Sequence, residues 1–113
     1  MKSEYPVSLP IKDIVRGDST PPLRITNLLI NGVPASLKEV RVQIRSARYD
    51  KLIHTFDTTF TDNNITISGI DYTITEKFPV TKCCMDIEIT TQDDVRVTLT
   101  RSHFAITRDC TYD

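Results

Sequence analysis

The chain has 113 residues, 39% hydrophobic and 26% charged, which fits one globular domain and excludes both a disordered chain and two independent cores. Fourteen Lys and Arg against fifteen Asp and Glu leave a net charge of −1 with the basic residues scattered, which excludes the basic stripe that nucleic-acid binding needs. No apolar run approaches the roughly 18 to 20 residues that cross a bilayer, and Met1 to Pro10 lacks the apolar stretch of a secretory signal, so synthesis in a cytosol and no membrane contact are expected.

In chain order, Val7, Leu9 and Ile11 alternate around Pro6 and Pro10, which restricts residues 1–15 to an edge strand or an extended N-terminal arm. Arg16-Gly17-Asp18 is the tripeptide that integrin-binding loops display, but Gly-Asp also suits a turn between extended segments, and the turn is the expectation. After Pro21 and Pro22, Leu23 and Ile25, then Leu28 and Ile30, form short extended runs that end at the turn Asn31-Gly32-Val33-Pro34. The clearest strand is Glu39 to Ser46, where Val40, Val42 and Ile44 alternate with Arg41, Gln43 and Arg45 to give one apolar and one basic face.

Leu52 to Phe60 reads as a further strand, with Leu52, His54, Phe56, Thr58 and Phe60 sharing a face. Asp62, Asn63 and Asn64 make a turn, Ile65 and Ile67 begin a short strand, Ser68 and Gly69 break it, and Tyr72 and Ile74 resume one. In Lys82 to Thr91, Cys83, Met85, Ile87 and Ile89 face one way and Cys84, Asp86, Glu88 and Thr90 the other. Gln92, Asp93 and Asp94 turn the chain into Val95, Val97 and Leu99, completing a β-hairpin. The apolar parity then changes at Phe104 and Ile106, which requires a bulge or bend near Arg101 to His103. Arg108 to Asp113 carries no pattern and reads as a tail. The sum is an all-β, two-sheet sandwich of about seven strands filling residues 1–113 as one domain, with extended termini.

Residues able to carry chemistry are few. Cys83, Cys84 and Cys110 are odd in number and lack metal-type spacing, and neighbours on a strand point to opposite faces, so free thiols are expected. His54 and His103, the only histidines, have no nucleophile that the sequence pairs with them. Asp93 and Asp94 supply too few oxygen ligands for a calcium loop, Asn64-Ile65-Thr66 fits a glycosylation acceptor only in a secreted chain, and three glycines leave no phosphate-cradling loop. No catalytic, cofactor-binding or metal-binding residue is assigned, and a non-enzymatic protein that binds other chains is expected. The candidate interface comprises Tyr5, Pro6 and Pro10 in the N-terminal arm and Tyr112 in the tail, with the row Arg41, Gln43 and Arg45 as the alternative sheet-face surface.

The order of segments carries a resemblance. Gly17-Asp18-Ser19-Thr20-Pro21-Pro22 leads to Asn31-Gly32-Val33-Pro34, then to Val40-Arg41-Val42-Gln43-Ile44-Arg45 and Asn64-Ile65-Thr66-Ile67. Met85-Asp86-Ile87-Glu88-Ile89, an acidic turn, Val95-Arg96-Val97-Thr98-Leu99 and Phe104-Ala105-Ile106 close the series. From Ile14 to Arg108 this resembles a family of Ig-like phage virion domains, similar to the N-terminal domain of the upper-baseplate, receptor-binding-arm protein of tailed phages. Cys83 or Cys84 replaces that family's aromatic before the hairpin strand, and Asp94 its turn glycine.

The resemblance implies an Ig-like β-sandwich and a structural protein of a phage or prophage virion, in the tail, baseplate or fibre-attachment region. Made in the bacterial host cytoplasm, it would contact other virion proteins as a symmetric homo-oligomer or in multiple copies. The alternative is a carbohydrate-binding or adhesion module, against which stand the absence of Trp and only four Tyr.

Overall fold

The computed structural model describes residues 9–108, and the expectations for Tyr5, Pro6, Cys110 and Tyr112 lie outside the described residues. The strands, in order, are β1 (Ile14–Val15), β2 (Leu23–Ile25), β3 (Leu29–Ile30), β4 (Val33–Pro34), β5 (Leu37–Ser46), β6 (Leu52–Thr55), β7 (Thr58–Thr61) and β8 (Asn64–Ile67). A single helical turn, α1 (Tyr72–Thr75), precedes the long hairpin β9 (Thr81–Thr91) and β10 (Arg96–Thr107).

One sheet runs β1-β10-β9-β5-β6 and the other β2-β8-β7, with β3-β4 as a separate ribbon. The order β10-β9-β5 matches G-F-C of an immunoglobulin sandwich, β6 extends it as C′, and β2-β8-β7 matches B-E-D. The expected Ig-like, all-β architecture is therefore present. Its seven sandwich strands are β2 and β5 to β10, to which β1 and the β3-β4 ribbon are additions.

Alternation places the core. Val42 and Ile44 of β5, with Met85, Ile87 and Ile89 of β9, are at most 1% exposed, and Ile65 and Ile67 of β8 cover them from the second sheet. The parity change in β10 is a bulge at Leu99. Thr98 pairs with Glu88 and Thr100 with Ile87, so Leu99 and Thr100 are both buried, and Phe104 and Ile106 point inward beyond them. It falls just before the expected segment Arg101 to His103.

Several turns follow from their residues. Asn31-Gly32, both at positive φ, joins β3 to β4 with the backbone twist of a tight hairpin. The Arg16-Gly17-Asp18 segment is indeed a turn, fastened from within. Buried Thr75 accepts the Gly17 N–H at 3.2 Å and donates its hydroxyl to the Asp18 carbonyl at 2.8 Å.

Three expectations are corrected. Leu52 to Phe60 is not one strand: β6 belongs to one sheet and β7 to the other, and Phe56 is buried at the crossing with its N–H on the Val42 carbonyl. Leu52 and Phe60, expected to share a face with Phe56, are exposed while Phe56 is buried. Tyr72 and Ile74 lie on α1 instead of a strand, because the Asp71 carbonyl accepts the N–H groups of Ile74 and Thr75. Two apolar residues spaced by two are too few to fix a period. Val95 sits in the hairpin turn, exposed, and is not part of an inner face.

Of the two readings of residues 1–15, an edge strand or an extended arm, the described part takes the first. From Leu9 to Val15 it completes the chain's own sheet edge. Ser102 donates to the Leu9 carbonyl at 2.6 Å, the Ala105 N–H to Asp13 Oδ1 at 2.9 Å, and β1 pairs in parallel with β10 through Ile14 and Ile106. Ile14 is in the core, with Leu9 and Ile11 packed against it.

Candidate protein interface

The side of β5, β9 and β10 turned away from the core is polar, and its side chains are held in register across strands. Arg41 stands opposite Glu88, Gln43 opposite Asp86 and Arg45 opposite Cys84. Arg41 Nη2 donates to Glu88 Oε1 at 2.9 Å, and Arg96 Nε approaches the same oxygen at 3.7 Å. Arg101 forks onto Asp86, with Nε to Oδ1 at 2.7 Å and Nη2 to Oδ2 at 3.3 Å. Arg45 donates to Gln43 Oε1 at 3.2 Å and to the Asp50 carbonyl at 3.0 Å, while Gln43 reaches Thr55 Oγ1 on β6 at 3.3 Å.

Exposed pairs of this kind contribute about 0 to 1 kcal/mol each, so the ladder orients side chains more than it stabilises the fold. Four guanidinium groups and two carboxylates, arranged on a sheet rather than a loop, give a pre-ordered hydrogen-bonding surface suited to another protein's polar groups.

The row Arg41, Gln43 and Arg45 thus lies together on one face, as its alternation requires. Asp86, Glu88, Arg96 and Arg101 complete that face and were not singled out from the sequence. The even positions of Lys82 to Thr91 signalled the acidic pair, but the placement of Arg101 beside Asp86 depends on the bulge at Leu99. Pro10 is exposed and lines a cavity of about 400 Å³, to which Asp18, Leu23, Ile44, Met85 and Phe104 also contribute.

The groups considered for chemistry are separated. His54 pairs across strands with Ile44 and so faces the core side, whereas His103 pairs with Cys84 on the outer side, three strands away. Cys83 and Cys84 are free and buried; burial, then the neighbouring Cys84, pushes the Cys83 thiol up to about 12. Asp94 of the β9-β10 turn is engaged by Lys38.

His54 makes an edge-to-face contact with Phe56 at 4.9 Å and a tilted one with Phe78 at 5.7 Å, and burial lowers its pKa below 6.5, opposed in part by Asp57. Below 6.5 the unfolded chain takes up a proton on this imidazole that the folded chain resists, so stability falls as pH drops from 6.5 toward the folded value. Denaturant midpoints measured from pH 7.5 to 5 are expected to decline in the wild type and to flatten in His54→Gln; parallel curves would assign the decline to other groups.

No family model matches the chain, and no curated protein matches it. Among solved structures the chain is similar to CopC from Methylosinus trichosporium OB3b, at 11% identity over 86% of this chain and 85% of that one, with a TM-score of 0.48.

Proposed function

We propose that this Ig-like domain is a non-enzymatic protein-binding module whose working surface is the outer face of β5, β9 and β10, and that it serves as a structural part of a phage or prophage particle. The observation that carries the binding reading is the ladder of Arg41, Glu88, Arg101 and Asp86, whose side chains are already held in place by one another across three strands. Ordered polar groups lose little side-chain entropy when a partner docks. The virion assignment rests on the order of segments from Ile14 to Arg108 and is the narrower part of the proposal. A sugar site would set aromatic platforms together. Phe60 and Tyr49 instead line different depressions and Tyr72 lies on α1.

The test uses particles purified from the source cells and the triple variant Arg41→Glu, Gln43→Ala, Arg45→Glu. Wild-type protein is expected as a stoichiometric particle component by mass spectrometry, and the variant to keep its unfolding free energy within about 1 kcal/mol while its occupancy falls at least tenfold. Absence of the wild-type chain from particles would remove the virion assignment, and normal occupancy of the variant would remove this face as the interface.

A further inference from the structure

A second surface lies where the β5–β6 turn, the residue after β1 and the end of α1 come together. There a depression of about 580 Å³ is lined by Arg16, Lys51 and Lys77 together with Tyr49, Leu52 and Phe78, and none of its ten lining residues is acidic. The three cations are exposed and make no ion pair among the described residues, in contrast to the matched charges of the outer face. Tyr49 and Leu52 expose 72% and 46% of their surface, so the depression offers positive charge and apolar contact side by side.

The main chain fixes where these side chains begin. The Arg16 N–H donates to the Thr107 carbonyl at 2.9 Å and the Lys77 N–H to the Ile74 carbonyl at 3.1 Å. Across the β5–β6 turn the Ser46 N–H donates to the Lys51 carbonyl at 2.9 Å, and the Lys51 N–H to Ser46 Oγ at 3.0 Å. Arg48, in the same turn, sets its guanidinium carbon 5.1 Å from the centre of the Tyr49 ring and brings a fourth exposed cation next to it. Asp50 and Glu76 adjoin Lys51 and Lys77 in sequence, but neither lines the depression. Cations gathered without a counter-charge raise the local potential, which an anion seated among them lowers. One guanidinium and two ammonium groups suit the oxygens of a phosphate, whose charge near −2 calls for more than one cation. The ring of Tyr49 and the side chain of Leu52 suit a flat apolar group attached to it.

We propose that this depression binds a small phosphate monoester that carries an aromatic ring. Its phosphate meets Arg16, Lys51 and Lys77, and its ring lies against Tyr49 and Leu52. The site is separate from the outer face of β5, β9 and β10 and stands or falls independently of that reading. Positive charge alone does not single it out, since the outer face holds four guanidinium groups. Three of those, on Arg41, Arg96 and Arg101, are already met by Glu88 and Asp86, whereas the cations of the depression have no such partner among the described residues.

The test follows amide spectra of the full chain during separate titrations with phenyl phosphate, inorganic phosphate, benzoate and benzyl alcohol. Phenyl phosphate is expected to shift the amides of Tyr49, Lys51, Leu52 and Lys77 saturably, with inorganic phosphate and benzoate each about tenfold weaker and benzyl alcohol without effect. The exposed pair Lys51→Gln/Lys77→Gln should keep the thermal midpoint and weaken phenyl phosphate about tenfold. Tyr49→Ala should bring phenyl phosphate down to the level of inorganic phosphate. Absence of a saturable shift in the wild type would overturn the proposal. So would benzoate binding as tightly as phenyl phosphate, which would remove the phosphate, or inorganic phosphate doing so, which would remove the ring. Shifts spread over Arg41, Arg45 and Arg96 that persist in the double lysine variant would overturn the site in favour of diffuse attraction to the charged surface.

Discussion

Replacing Ile87 by alanine is expected to cost about 2 to 5 kcal/mol of unfolding free energy, the range for truncating a large aliphatic side chain in a packed core. Ile87 is fully buried at the middle of β9, opposite Val42 on one side and Thr100 on the other, directly beside the Leu99 bulge. Its neighbours are held by two long strands and a bulge, so the cavity cannot collapse easily, which favours the upper part of that range. Glu88→Ala, one residue on, removes the half-exposed contacts to Arg41 and Arg96 and should cost about 1 kcal/mol or less. Urea titrations with unchanged slope would read both. Equal midpoint losses would mean that the inward and outward sides of β9 are not as assigned.

Gly69→Ala is expected to destabilise by about 1 to 3 kcal/mol through overpacking, although the residue lies in a loop. A Cβ there would collide with the Thr20 carbonyl and come within 3.1 Å of the Pro21 carbonyl carbon and 3.2 Å of the Pro22 nitrogen, all main-chain atoms that cannot swing aside. The same approach brings Thr20 and Ile70 together, with the Thr20 N–H on the Ile70 carbonyl at 2.9 Å and the Ile70 N–H on the Thr20 hydroxyl at 2.8 Å. Separating the segments would strain both bonds and disturb buried Ile70. Gly17→Ala supplies the control, since no atom outside Gly17 and its two chain neighbours lies within 4 Å of its Cβ position and the positive φ opposes the change. Thermal melts should show the larger loss at Gly69. A larger loss at Gly17 would place the constraint in backbone conformation instead of close approach.

The all-β class and the inward face of the principal strands are legible in the sequence, because a period of two over Val40 to Arg45 and over Cys83 to Thr90 leaves one way to bury the apolar set. The turns at Asn31-Gly32 and Asp62-Asn63 are legible through residues that accept positive φ, and so is the break of parity in β10. The row Arg41, Gln43 and Arg45 was legible as one face for the same reason.

Which strands pair, and where the chain changes sheets, depends on contacts between residues distant in sequence. Phe56 looked like a strand residue because its neighbours are extended, yet it is the crossing point, and this depends on Val42 receiving its N–H. The helical turn at Tyr72–Thr75 exists because Thr75 is buried against Gly17 and Asp18, 58 and 57 residues away in sequence. The N-terminal segment carries prolines and little pattern of its own, so its attachment to β10 rests on Ser102 and Asp13, polar contacts more than 90 residues apart that no local period announces. The pairing of Arg101 with Asp86 arises from the same cause: a sheet brings distant residues together by register, and register is a property of the whole fold.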